Sequence, residues 1–278
     1  MNKRLLFVII FSFIFGEKTE RIISIGGCVT ETVFALNQGE KVVAVDISST
    51  IPNKVKKLPQ VGYIRAISSE GILSMMPDYI LTTSDLGPPK VVDQLRKSGV
   101  KMKIFDSPHS LDGIIDLVDN ISVILDVQEQ GKLVIDKMKK ESKIMNEKID
   151  NYAFNPKIVF FMNPSIGSYT AAGNTTRANY LIQFLGGKNI FSDQFSKYKK
   201  VTKEEILKFN PDIILVSSYS SNDQKSSSIF IDSDDFKSVS AVLNNRVVDI
   251  DMGKLLSFGP SFTSNVLELI NTFDINQK

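Results

Sequence analysis

Ser69-Glu70-Gly71-Ile72-Leu73-Ser74-Met75-Met76-Pro77-Asp78-Tyr79-Ile80-Leu81 reads as one α/β unit. Serine satisfies the open N–H groups of a first helical turn, and the helix dipole favours the negative charge of Glu70 there. Pro77 stops the helix, and the apolar run from Tyr79 has the length of a strand. The same unit recurs as Lys203-Glu204-Glu205-Ile206-Leu207-Lys208-Phe209-Asn210-Pro211-Asp212-Ile213-Ile214-Leu215. In both copies a glutamate starts a helix, an Ile-Leu pair packs it, and Pro-Asp precedes a buried strand. The repeat predicts two lobes built on one pattern.

The flanking sequence fills in both lobes. Arg21–Ile25, Val42–Val45, Tyr79–Thr83 and Met102–Phe105 read as strands. Helices are predicted between and after them, over Thr32–Leu36, over Ile67–Met76, from Pro88-Pro89, and from His109. Such alternation predicts βαβ units and a parallel sheet. After Asn155-Pro156 it restarts, with strands at Lys157–Met162, Tyr169–Ala172, Ile213–Val216 and Arg246–Ile250. A helix over Ala178–Leu185 and a C-terminal helix from Gly259-Pro260 through Ile270 complete this half, and serine-rich Tyr219–Ser228 reads as a surface loop. Between the halves, Val127 to Ile149 alternates lysines and glutamines with Leu133, Ile135, Met138, Ile144 and Met145, and contains no proline. That is one helix of about 30 Å with a solvated charged face. The expected fold is α/β: two Rossmann-like lobes, residues 17–126 and 151–278, joined by one long connecting helix, 127–150, with a ligand cleft between the lobes.

Apolar content of 42% and charged content of 23% are those of a soluble globular protein, and a net charge of +2 gives no case for nucleic acid. Residues 1–16 stand apart: a basic Met1-Asn2-Lys3-Arg4, then an apolar run to Phe15 that is too short to span a bilayer. They read as a secretory signal peptide. No cysteine follows the run to carry a lipid anchor. With a single cysteine, Cys28, no intramolecular disulfide forms, and stability must come from the core. Cys28 reads as a small buried filler. With His109 as the one histidine, the chain cannot assemble a multi-ligand zinc site, and an isolated histidine near a helix start reads as a surface or capping residue. The glycine pair Gly26-Gly27 lacks both the GxGxxG and GxxxxGK[ST] patterns, and there is no GxSxG elbow. No catalytic residues are assigned and no enzyme is expected. Glu70 and Glu204 occupy equivalent places on two lobes, too far apart for a glycosidase pair.

Just upstream of the opening unit lies Val61-Gly62-Tyr63-Ile64-Arg65-Ala66-Ile67-Ser68. It is a loop feeding a helix, with a phenol and a guanidinium two residues apart. A neighbouring cation favours the ionised form of a phenol, and tyrosine is an established axial ligand of haem iron. Taken alone, a loop tyrosine is more often a half-buried packing residue than a ligand.

Gly62 to Leu73, together with Ile25-Gly26-Gly27-Cys28-Val29-Thr30-Glu31, resembles the haem-binding branch of the periplasmic substrate-binding proteins that serve cobalamin, siderophore and haem ABC importers. The likeness covers essentially the whole mature chain. It implies a monomeric periplasmic carrier whose cargo is haem and whose partners are permease subunits in the inner membrane. It implies that Tyr63 is the axial ligand to ferric iron, with Arg65 beside it. It also implies that Glu70 and Glu204, one per lobe, dock onto permease arginines. Tyr169, Asn174, Thr175 and Phe258, at expected loop edges of the second lobe, are candidates to cover the other face of the haem. The nearest rival is a cobalamin or iron–siderophore carrier on the same scaffold, with Tyr63 as a packing wall. Cys28 departs from the acidic or small polar residue commoner in that branch.

Overall fold

The computed structural model describes residues 20–152, 155–218 and 226–273. The expected signal peptide and residues 219–225 of the serine-rich loop lie outside them. The first half runs β1 Ile22–Ile25, α1 Gly27–Ala35, β2 Val42–Val45, α2 Ser69–Leu73, β3 Tyr79–Thr83, α3 Pro89–Lys97, β4 Lys101–Phe105 and α4 Leu111–Ile124. The four strands are parallel, in the order β2-β1-β3-β4. From β1 the chain moves to one side for β2, then returns across β1 to β3. That reversal makes a switch point at the carboxyl edge of the sheet, where open α/β sheets bind ligands.

α5, Gln128–Asp150, follows as one uninterrupted helix of 23 residues, about 34 Å long. The second half contains β5 Lys157–Phe161, β6 Tyr169–Ala172, α6 Arg177–Phe184, β7 Lys188–Asn189, β8 Tyr198–Val201, α7 Lys203–Phe209, β9 Ile213–Ser218, α8 Ser228–Ile231, α9 Ser240–Leu243, β10 Val247–Asp251, α10 Met252–Leu256 and α11 Phe262–Ile270. The sheet order is β10-β9-β5-β6-β8, with β7 also on β5; β6 is antiparallel to both β5 and β8. This is the two-lobed α/β architecture expected, with a long helix between the sheets.

Strand alternation divides the core. Ile158 and Phe160 of β5 and Ile213 and Leu215 of β9 join a central cluster that also holds Ile22, Val29, Leu117, Met138, Leu181 and Phe262. Val159, Phe161, Ile214 and Val216 face the opposite side, into a second cluster. Ile23, Ile25 and Ile80 back the first sheet in a third. The central cluster therefore draws on both halves and on the connecting helix, and shearing one lobe against the other would expose apolar surface.

Local differences from the sequence reading have local causes. α1 begins at Gly27, because Gly26, at φ 103°, turns the chain directly out of β1 and its carbonyl accepts from Thr30 N–H. α2 stops at Leu73, short of the expected Met76, which takes the left-handed conformation (φ 47°) ahead of Pro77. β8 escaped sequence detection because it is a lysine-bearing edge strand, a device that discourages edge pairing. The C-terminal helix begins at Phe262, and α10 forms separately, capped by Asp251.

Candidate functional site

The loop carrying Tyr63 is fixed by backbone bonds on both sides. Val61 N–H donates to Val45 O and Ile47 N–H to Gly62 O, extending the edge of β2. Gly87 N–H donates to Ile64 O, and Ile67 N–H to Gly87 O. Ile64 and Ile67 are buried in the cluster behind the sheet, so the residues between and before them point outward. Gly62, at φ 108°, makes the turn that presents Tyr63. Tyr63 is 44% exposed, and among the described residues its hydroxyl makes no hydrogen bond. Ile47, 50% exposed, adds apolar surface on the neighbouring strand edge.

Arg65 is also exposed, and its Nη2 pairs with Asp85 Oδ1 at 3.0 Å rather than with Tyr63. Asp85 Oδ2 accepts from the Ser107 hydroxyl and from Arg177 Nη2, the latter at 3.2 Å. Arg177 donates through Nη1 to the carbonyls of Leu256 (3.0 Å) and Ser257 (2.8 Å), through Nη2 to Ser107, and lies over the Phe258 ring. Burial pushes the Asp85 carboxyl up, but the Ser107 bond and the charges of Arg177 and Arg65 outweigh it and hold it below the usual carboxylate range.

A second contact between the halves is Glu31 of α1, whose Oε1 accepts from Ser261 N–H at 2.6 Å. Burial pushes this carboxyl up against the Ser261 bond, and Oε2 has no partner among the described residues. His109 sits just before α4, its ring 4.8 Å from that of Tyr180 on α6.

Of these bridging residues, Asp85, Ser107 and Arg177 were not singled out in the sequence. Asp85 and Ser107 did carry a signal, as polar residues just beyond the carboxyl ends of β3 and β4. Arg177 carried a subtler one: a cation in the first turn of α6 opposes the helix dipole and so needs another reason to be there.

Of the second-half candidates, Asn174 and Thr175 are exposed on the turn before α6, and Thr175 Oγ1 accepts from Lys197 N–H. Tyr169 and Phe258 require correction. Tyr169 is 6% exposed among the rings of Phe161, Phe230 and Phe236. Phe258 is fully buried, stacked on Phe262 and roofed by Arg177. Tyr169, at the start of β6, and Phe258, between α10 and α11, are drawn into the core by the apolar area they bury, not left at a cleft.

Glu70 lies in the first turn of α2, capped by Ser68, and Glu204 in the first turn of α7, capped by Thr202 with a reciprocal bond from Glu205. Both are exposed, and neither carboxylate makes a hydrogen bond or ion pair among the described residues. Cys28 is buried, and burial pushes its thiol up to about 11 despite the charge of Arg177. It is therefore a neutral thiol at physiological pH. Among the described residues no group of three or more His, Cys, Asp or Glu side chains is gathered to hold a bare metal ion. Nor is any helix among them long and apolar enough to cross a membrane.

The chain matches the periplasmic binding protein family model over residues 22–252. It belongs to this family. Among solved structures, this binding protein is similar to the periplasmic heme-binding protein BhuT in complex with two hemes, at 29% identity and a TM-score of 0.82, over 91% of this chain and 97% of that one. It is also similar to the apo periplasmic heme-binding protein RhuT from Roseiflexus sp. RS-1, at 28% identity and a TM-score of 0.83, over 93% and 100% of the two chains. Among curated proteins it is 29% identical to the vitamin B12-binding protein of Yersinia pestis over 203 residues, 73% of this chain and 71% of the relative.

Proposed function

We propose that this binding protein captures ferric haem on the periplasmic side of the inner membrane and delivers it to an ABC-type importer. The observation that carries the reading is Tyr63: a phenol on a rigid loop beside the sheet's carboxyl edge, nearly half exposed, with an uncommitted oxygen. Phenolate is a hard anionic ligand suited to iron(III), and binding it offsets the charge of the metal. Ile47 supplies apolar surface for the macrocycle, and the N–H donors of Arg65 not used by Asp85 suit a haem propionate. Asn174 and Thr175 are the remaining candidates of the second lobe for the far side of the cargo. The likeness to two heme-binding proteins over nearly their full length supports haem as the cargo. Glu70 and Glu204 are free carboxylates at matching places on the two lobes, as docking onto permease arginines requires. The first sixteen residues act as the cleaved export signal. The shared central core keeps lobe motion small on binding. The protein is a carrier, not a catalyst.

The vitamin B12-binding relative favours a second reading, in which the same cleft holds cobalamin and Tyr63 is a wall. Titrating the purified mature protein with hemin separates the two. The haem reading expects a tyrosinate-to-iron charge-transfer band that disappears in Tyr63→Ala and Tyr63→Phe. A band that persists in Tyr63→Ala removes the axial-ligand assignment. Binding of cyanocobalamin without binding of hemin selects the second reading.

A further inference from the structure

Asp85 lies between two guanidinium groups in different surroundings. Arg177, from the second half of the chain, has a side chain 30% exposed and is tied down by two carbonyls and the Ser107 hydroxyl. Arg65 has a side chain 63% exposed, and among the described residues its bond to Asp85 is its only hydrogen bond. Of the five N–H donors of a guanidinium, four therefore stay open. The carboxylate divides its oxygens accordingly: Oδ2 takes Arg177 and Ser107, and Oδ1 takes Arg65. Asp85 is thus fixed from behind, and Arg65 is the exposed member that it holds.

We propose that Asp85 is a positioning residue for cargo recognition: it holds Arg65 beside Tyr63 in one orientation, referenced through Arg177 to the second lobe, ready to receive a carboxylate of the cargo. A free arginine loses much rotamer freedom when it binds an anion, and one already held loses less. The Arg65–Asp85–Arg177 triad carries a net charge of +1, so an incoming carboxylate meets attraction even with Asp85 present. Asp85 acts at neutral pH as a carboxylate, consistent with the lowered protonation range imposed by its two cations and Ser107. The identity of the cargo rests on the haem reading; the holding of Arg65 does not.

The test combines a readout of the unloaded protein with a double-mutant cycle. In arginine-labelled wild-type protein, the Arg65 guanidinium Nη signals should be split by restricted rotation, and averaged in Asp85→Asn. In hemin titrations, Asp85→Asn should weaken affinity about tenfold with the tyrosinate band intact, and by less than about twofold in an Arg65→Ala background, since coupled residues are non-additive. Equal losses in both backgrounds would mark Asp85 as merely structural and overturn the proposal. Unchanged or tighter hemin binding by Asp85→Asn would do the same. A wild-type protein that binds no hemin refutes the haem reading instead, and positioning is then decided by the unloaded spectra. Averaged Arg65 signals in the wild type overturn it, including where Asp85→Asn does not fold.

Discussion

Arg177→Ala should loosen the joint between the lobes. The substitution removes donors from the Leu256 and Ser257 carbonyls, from Ser107 and from Asp85, and uncovers Phe258. Each hydrogen bond to a charged group contributes about 1.5–3 kcal/mol, but bonds sharing one guanidinium are lost together and do not add. A surface ion pair contributes about 0–1 kcal/mol, and breaking a buried one costs about 3–5 kcal/mol. The Arg177 and Asp85 side chains are 30% and 28% exposed, between those limits. We expect a loss of about 3 kcal/mol, or roughly 6–12 °C in melting temperature for a chain of this size. Arg177→Lys, which keeps the charge but cannot fork, should recover less than half. Asp85 is held below its ordinary range, so its share of stability is present above the unfolded value of about 3.9 and fades as pH falls through the lower folded value. Thermal unfolding of wild type and variant across pH 3 to 7 measures both. A loss under about 1 kcal/mol at pH 7 would show that the joint behaves as a surface pair. A loss that does not shrink in acid would show that Asp85 is not the partner that matters.

Two further outcomes are expected. Glu31 titrates with the opposite sign: burial raises its carboxyl, so its stabilising protonated form is complete below the unfolded value of about 4.3 and is lost as pH rises through the folded value. Glu31→Gln removes that titration, so the variant should gain on wild type as pH rises from about 4, and a pH-independent difference between the two unfolding curves would refute this. Glu70→Ala combined with Glu204→Ala should abolish stimulation of importer ATPase in proteoliposomes. The same pair should leave hemin binding unchanged and melting within a few degrees, because exposed first-turn carboxylates contribute little to stability; undiminished stimulation would count against docking.

By itself the sequence determined the two-lobed plan. The repeated Glu, Ile-Leu, Pro-Asp pattern and the proline-free stretch after Val127 are local signals, and α2, α5, α7, β3 and β9 follow from them. It also placed Tyr63 and Arg65 on one loop, because Gly62 and the buried Ile64 and Ile67 are neighbours in the chain. Only the tertiary structure decided what those side chains meet. Arg65 and Asp85 are 20 residues apart, Asp85 and Arg177 are 92, and Glu31 and Ser261 are 230. Periodicity cannot report such pairings, since they depend on where separate strands end. Tyr169 and Phe258 show the same limit, because an aromatic ring at an expected loop edge fits a cleft wall or a core equally well in sequence. The surrounding rings of the second lobe, which bury the one, and Arg177, which covers the other, settled both in favour of the core.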